Sequence, residues 1–198
     1  MSTTYISFDL ETSSSDPNHG EILTLGAVNF HTGEELYLEF KHPFGLWIEP
    51  KAIEVNKVSV AQLYRVGTTY EEGDTKVLEW LKRQGAEVKA LGLNVGSFDL
   101  AFLKGRLPKS SKAFGYRCVD LNSVFESAAW ENAASFESIQ QQALRRASEW
   151  AEKKKPELYH HHALFDCYTN CAAFASVTGR IPEWMAGEQL VLKERQRR

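Results

Sequence analysis

The order of strand and helix patterns along the chain limits it to few folds. Three strand patterns come first, at residues 3–9, 22–30 and 35–40, where β-branched and aromatic residues are frequent. Two more strand patterns, at residues 88–93 and 116–120, alternate with helical patterns. Strands that come first and then alternate with helices predict an α/β fold, with a central mixed five-stranded sheet flanked by helices.

The helical patterns follow the third strand, and no linker or internal repeat divides the chain. Apolar residues recur at helical spacing in residues 75–83, 98–103, 121–129, 136–154 and 162–177. With 198 residues of which 43% are hydrophobic, the chain can bury one sizeable core. We therefore expect one domain over residues 1–178, followed by a basic extension over residues 179–198 that packs on it or trails from it.

Composition excludes several classes of protein. Charged residues make up 25% of the chain and aromatic residues 12%, which is typical of globular proteins rather than collagenous or disordered ones. No stretch approaches 18 consecutive apolar residues, so we expect no membrane partner. The first nine residues show neither the basic start nor the apolar core of a secretory signal, and we expect a cytoplasmic location.

Charge is distributed unevenly along the sequence. Residues 1–40 hold seven acids and no Lys or Arg, which leaves a balance of +4 over the other 158 residues. Residues 104–117 carry five basic side chains without one acid, and the last six residues carry four against one acid. Such blocks are usually solvated faces, but they are also what binding to a phosphate backbone requires. We expect the first of these blocks to contact phosphates through Lys104, Arg106, Lys109 and Lys112.

Two acids at the end of the first strand pattern point to a cation. Asp9 and Glu11 are two residues apart, so in a strand both side chains lie on one face, beside apolar Phe8 and Leu10. Like charges this close raise one another's pKa unless a cation lies between them. The alternative is a pair of solvated acids at a strand end. Asp99 and Asp166 recur as isolated acids at junctions of elements, which favours the cation.

Four carboxylates suit hard cations such as Mg²⁺ or Mn²⁺ and are enough to hold two of them. Two divalent ions would raise the formal charge of the protein from -3 to about +1 and remove the repulsion that a phosphate would meet. The sequence therefore predicts a site for two divalent cations and a phosphate-bearing substrate.

Three segments together resemble a known family. Residues 8–12 read FDLET, residues 94–99 read NVGSFD, and residues 161–166 read HHALFD. In this order and at these separations they resemble the three motifs of the DEDDh, or DnaQ-like, 3′–5′ exonucleases, which have a ribonuclease H-like fold. The resemblance covers roughly residues 4–175.

The resemblance implies an enzyme that hydrolyses phosphodiester bonds at a free 3′ end of DNA or RNA and releases nucleoside 5′-monophosphates. It implies the metal ligands Asp9, Glu11, Asp99 and Asp166, the general base His161, and the substrate contacts Leu10, Thr12, Asn94 and Phe98. We expect unpaired ends to be preferred, because a duplex end must fray before it enters. The choice between DNA and RNA stays open, and a homodimer is compatible with the sequence.

The position of the general base has a geometric consequence. On an ideal helix five residues turn through about 500°, so His161 and Asp166 would lie ~140° apart. We therefore expect His161 in the loop that enters the last helix, with His160 and His162 in packing or solvent positions. A connector with Phe44, Trp47 and Lys51 is a further candidate for contact with substrate.

Two other functions remain open at this point. One is a catalytically inactive module that binds nucleic acid or a protein partner on the same fold. The other is a zinc-dependent module built from residues 160–162 with Cys167 and Cys171. The CxxC spacing is missing, Cys118 is distant, and buried reduced thiols are the simpler interpretation.

Overall fold

The computed structural model describes residues 3–42 and 45–186. Its sheet has five strands: β1 (Thr4–Thr12), β2 (Ile22–Asn29), β3 (Glu35–Glu39), β4 (Val88–Gly92) and β5 (Val119–Asp120). They lie in the order β3-β2-β1-β4-β5. β1 is antiparallel to β2 and parallel to β4, so the predicted mixed sheet is confirmed.

Helices cover both faces of this sheet. They are α1 (Pro50–Asn56), α2 (Val60–Val66), α3 (Tyr70–Gln84), α4 (Asp99–Arg106), α5 (Pro108–Phe114), α6 (Leu121–Asn132), α7 (Phe136–Lys154) and α8 (Ala163–Thr178). One apolar core lies between the sheet and α6, α7 and α8, and the other lies between the sheet and α3, α4 and α5. The central strand β1 therefore has protein on both sides.

The alternation of side chains along β1 decides which face receives the acids. Ile6, Phe8 and Leu10 enter the core beneath α3, α4 and α5. The intervening side chains point to the opposite face, where the Ser7 hydroxyl donates to the Cys167 carbonyl of α8 at 2.9 Å. Asp9 and Glu11 share the face of Ser7, so β1 presents both acids to α8.

A glycine lets α8 approach the sheet closely. Gly26 pairs with Asp9 across β1 and β2, and a Cβ atom at Gly26 would lie 2.5 Å from the backbone of Ala163. The first turn of α8 therefore rests directly on strand backbone. Between Ala163 and Ser176, Asp166 is the one residue that is only partly buried, because it faces the end of β1.

The structure differs from the sequence prediction at its shortest elements and at the start of α3. The sequence patterns did not predict α1, α2 and α5. These helices have seven residues each, which is too short to show a clear apolar period. α3 begins five residues before the predicted start at residue 75, because Thr69 and Glu72 form a capping box. α7 has the predicted bounds, whereas β5 is reduced to two residues.

The first part of the predicted extension lies against the domain. The Trp184 indole nitrogen donates to the Phe30 carbonyl at 2.9 Å, and Met185 is buried. The basic residues at 193–198 lie outside the described residues, so the division at residue 178 stays a prediction. Within 3–42 and 45–186, no helix has the length and apolar character that crossing a membrane requires.

Candidate active site

Three carboxylates meet where β1 ends and α8 begins. Asp9, Glu11 and Asp166 each offer an oxygen atom, and these three atoms lie within 4.8 Å of one another. β1 supplies the first two from one face, and the first turn of α8 supplies the third. Residues separated by more than 150 positions in sequence thus form one compact group of oxygen donors.

The environment of these carboxyl groups disfavours their charged form. Burial raises the pKa of Asp9 well above its ordinary value, and the charges of Asp166, Asp99 and Glu11 raise it further. Burial, followed by the charges of Asp166 and Asp99, raises the pKa of Glu11 to about 9. Burial also raises the pKa of Asp166 to about 7. Three carboxyl groups whose ionised forms are disfavoured by burial and mutual repulsion suit a hard divalent cation, because its positive charge offsets theirs.

Asp99 is next to this group but outside it. It is the first residue of α4, and its Oδ1 accepts the Leu10 N–H at 3.0 Å. That N–H is available because β4 pairs with β1 only from Thr4 to Ser7. Burial raises the pKa of Asp99 to about 8 despite this hydrogen bond. Asp99 therefore touches the strand segment between Asp9 and Glu11.

The three adjacent histidines point in different directions. His161 lies in the loop before α8, at a φ of 61°, and lines the cavity beside Asp166. His160 hydrogen-bonds to the Ser148 hydroxyl at 2.9 Å. His162 is the N-cap of α8, where its Nδ1 accepts the Leu164 N–H at 3.3 Å. The structure thus brings His161 to the acids, in the loop position expected from its spacing to Asp166.

A cavity of about 380 Å³ opens in front of the acids. Leu10, Thr12 and Phe98 line it, together with His161 and Asp166. Asn94, also a predicted substrate contact, does not line this cavity. It forms a turn at a φ of 54°, and its side-chain oxygen accepts from the Asn122 amide at 2.9 Å.

One wall of the cavity belongs to α1 and to the loop between β1 and β2, and Lys51 is the one residue of it that the sequence analysis named. Of the two other residues named with it, Trp47 does not line this cavity and Phe44 lies outside the described residues. Glu49 accepts hydrogen bonds from the Ser14 hydroxyl and the Ser15 N–H, both at 3.2 Å. Asn56, which is buried, donates to the Thr12 carbonyl at 3.1 Å. These contacts hold α1 against the end of β1. Proline at the first position of a helix was the one sequence signal for α1.

The alternative zinc site does not assemble in the described part of the chain. Cys167 and Cys171 are fully buried within α8, and the histidines of residues 160–162 diverge. The metal-ligand group found among the described residues contains no histidine or cysteine.

One of the four side chains expected to contact phosphates has another partner. Arg106 pairs with Glu21 at 2.7 Å and donates to the Gly20 carbonyl at 2.9 Å. It therefore stabilises the β1–β2 loop. Lys104, Lys109 and Lys112 are exposed.

A sheet of this order, with acids at the end of its first strand and at the start of its last long helix, is a ribonuclease H-like fold. Solved structures of Exonuclease I share it. The zinc-bound complex of Escherichia coli Exonuclease I with single-stranded DNA gives a TM-score of 0.67 at 18% identity, over 91% of this chain and 41% of that chain. An apo form of Exonuclease I gives 0.65 at 17% identity, over 91% and 43%. The chain thus spans about two fifths of the Exonuclease I chains.

A protein of similar length is also related in sequence. The 3′-5′ DNA exonuclease Cap18 of Escherichia coli is 28% identical over 172 residues, which are 82% of this chain and 84% of that protein. No protein-family model matches the chain. Cap18 and the Exonuclease I structures confirm the resemblance to DnaQ-like exonucleases predicted from the three motifs.

Proposed function

We propose that this protein is a metal-dependent 3′–5′ exonuclease that shortens single-stranded DNA and releases nucleoside 5′-monophosphates. The observation that carries this proposal is the meeting of Asp9, Glu11 and Asp166 in one cavity that His161 also lines. Similarity to a DNA exonuclease and to a nuclease solved with single-stranded DNA supports the choice of DNA.

The acids would hold two divalent cations, Mg²⁺ or Mn²⁺. Asp9, Glu11 and Asp166 fit them because three oxygen donors lie within 4.8 Å and are too buried to carry their charges unaided. Asp99, whose carboxyl group accepts the Leu10 N–H, would be the fourth acid of the set. When bound, such cations neutralise the phosphate and lower the pKa of water.

The residues of the chain supply the remaining chemistry. Burial and the charges of His160 and Lys57 lower the pKa of His161, so its imidazole is neutral near pH 7 and can accept a proton from the attacking water. The water oxygen bonds to phosphorus and the bond to the 3′ oxygen breaks. That oxygen takes a proton from solvent water and becomes the new 3′ hydroxyl. Leu10, Thr12 and Phe98 would hold the terminal nucleotide against the acids.

Free ends would be required because the cavity receives one terminal nucleotide between α1 and the end of β1. A cytoplasmic location stays a prediction, which the free thiols of Cys118, Cys167 and Cys171 fit.

A 5′-labelled linear strand and its circular form test the proposal. With Mg²⁺ or Mn²⁺ we expect a ladder of products shortened from the 3′ end, an intact circle, and no products in chelator. Asp9→Asn is the matched inactive variant. Cutting of the circle at a comparable rate would mean an endonuclease. Binding of the linear strand without shortening would mean the inactive module, and faster digestion of RNA of the same sequence would overturn the choice of DNA.

A further inference from the structure

A second cavity, of about 350 Å³, lies beside the acidic one and has no role in the proposed reaction. Six side chains that line it are His19, Glu21, Lys41, His42, Trp47 and Tyr70. They come from the β1–β2 loop, the segment after β3 and the first turn of α3. The volume is within the range of pockets that hold small organic groups.

Residues that line the two cavities are close together along the chain. Ser14 and Ser15 of the β1–β2 loop line the acidic cavity, and His19 of the same loop lines the second. Trp47 lines the second cavity and Glu49 the acidic one, and two residues of chain span at most about 7 Å. A strand that places its end in the acidic cavity therefore has its neighbouring nucleotides within reach of the second.

The chemistry of the second cavity suits a nucleotide. The Trp47 side chain is 59% exposed, so its ring is available for stacking. Lys41 is an exposed cation, held over the Tyr64 ring at 5.8 Å. The acid in the cavity, Glu21, is paired with Arg106 at 2.7 Å, so it does not cancel the charge of Lys41.

The floor of the cavity is built from rings already fixed by hydrogen bonds. The Tyr70 hydroxyl donates to Glu21 at 2.8 Å and accepts the Ile22 N–H at 2.9 Å. The His42 ring nitrogen lies 2.7 Å from the Ile22 carbonyl. A ligand therefore meets a rigid polar floor with an aromatic ring and a cation at its rim.

We propose that this second cavity binds an unpaired nucleotide of the substrate strand, on the 5′ side of the terminal nucleotide. The base stacks on Trp47 and its phosphate lies at Lys41. This inference rests on the proposed nuclease function. Stacking on an indole ring does not select one base, so the site favours single strands without reading their sequence.

Trp47→Ala tests the stacking contact, with Trp130→Ala as the matched control because Trp130 is 81% exposed on α6 and lines neither cavity. Affinity is measured by fluorescence anisotropy for 5′-labelled DNA of increasing length, from a mononucleotide upward, with Ca²⁺ in place of Mg²⁺. We expect Trp47→Ala to weaken binding of the longer strands about tenfold and leave the mononucleotide unchanged. Trp47→Phe keeps a ring and should restore most of the affinity.

Lys41→Gln tests the phosphate contact, with the exposed Lys82→Gln on α3 as its control. The loss of one phosphate contact should reduce the slope of log affinity against log salt by about 0.7. Equal affinities of the Trp47→Ala and Trp130→Ala variants at every length would overturn the inference. So would a loss that is the same for the mononucleotide, since it would place Trp47 at the terminal nucleotide. If the unaltered protein neither binds nor shortens any strand, the proposed function itself fails.

Discussion

Replacing Asp166 by Asn should stabilise the protein in the absence of divalent ions. The Asp166 carboxyl group lies within 4.8 Å of two other carboxyl groups, and its pKa is raised from 3.8 to about 7. The folded protein therefore holds this proton more tightly than the unfolded chain does. Ionising Asp166 thus lowers the free energy of unfolding as the pH rises from about 4 to about 7, and the loss is complete above that range.

The size of the effect follows from the shift. A change of about three units in pKa corresponds to about 4 kcal/mol, at 1.36 kcal/mol per unit. Water that enters the open cavity will screen part of this charge, so we expect a gain of about 1 to 4 kcal/mol at about pH 8. Below about pH 4 the carboxyl group is protonated in both states and the gain should vanish. The Asn side chain keeps an oxygen that can accept the backbone N–H of His161, as the Asp166 carboxyl group does.

Urea unfolding in chelator, at about pH 8 and about pH 4, measures the gain directly. In thermal melts it should appear as about 2 to 4 °C per kcal/mol. Glu79→Gln removes an exposed acid from α3 and should change the stability by no more than about 0.5 kcal/mol. If Asp166→Asn is less stable than the parent at both pH values, the carboxylate is a structural group and the reasoning is refuted.

The remaining predictions concern the base, the ions and the packing of α8. His161→Ala should lower turnover by about 10²- to 10⁴-fold while strand binding persists, and His160→Ala and His162→Ala should be mild by comparison; an inactive variant at either flanking position beside an active His161→Ala would reassign the base. Mg²⁺ or Mn²⁺ should raise the melting temperature more at about pH 8 than at about pH 6, because the ions displace protons from the carboxyl groups; a shift independent of pH in scanning calorimetry would contradict this. Gly26→Ala should lower the free energy of unfolding, measured with urea, by about 1 to 3 kcal/mol, because the added Cβ meets the backbone of α8. It should also weaken the stabilisation by metal. Its control is Gly105→Ala, where the space around the Cβ is open, and equal effects of the two would exclude close packing as the cause.

Local patterns in the sequence were sufficient to predict an element where that element is long or its period is strict. α7 carries its apolar period over 19 residues, and its bounds agree with the prediction. The two-residue period of β1 places Asp9 and Glu11 on one face without reference to the rest of the fold. The angle between residues five apart on a helix puts His161 in a loop, where the structure has it.

Contacts between distant residues could not be predicted in this way. α1 has seven residues, and its position depends on Asn56 and Glu49, whose partners lie at the end of β1 and in the loop that follows it. Arg106 was expected to face phosphates, but Glu21, 85 positions earlier, pairs with it. Asn94 turns to Asn122 rather than into the acidic cavity. In each case the partner is set by tertiary packing, which no local period encodes.

The position of α8 in the chain has a consequence for the synthesis of the protein. Because translation proceeds from the amino terminus, Asp9, Glu11 and Asp99 leave the ribosome well before α8, and domains generally fold as units. Until Ala163 settles on Gly26, Asp166 is absent from the group and the cavity has no wall on the side of His161. A growing or prematurely terminated chain therefore carries most of the acids without the ability to use them. Nuclease activity would therefore begin only when α8 has docked on the sheet.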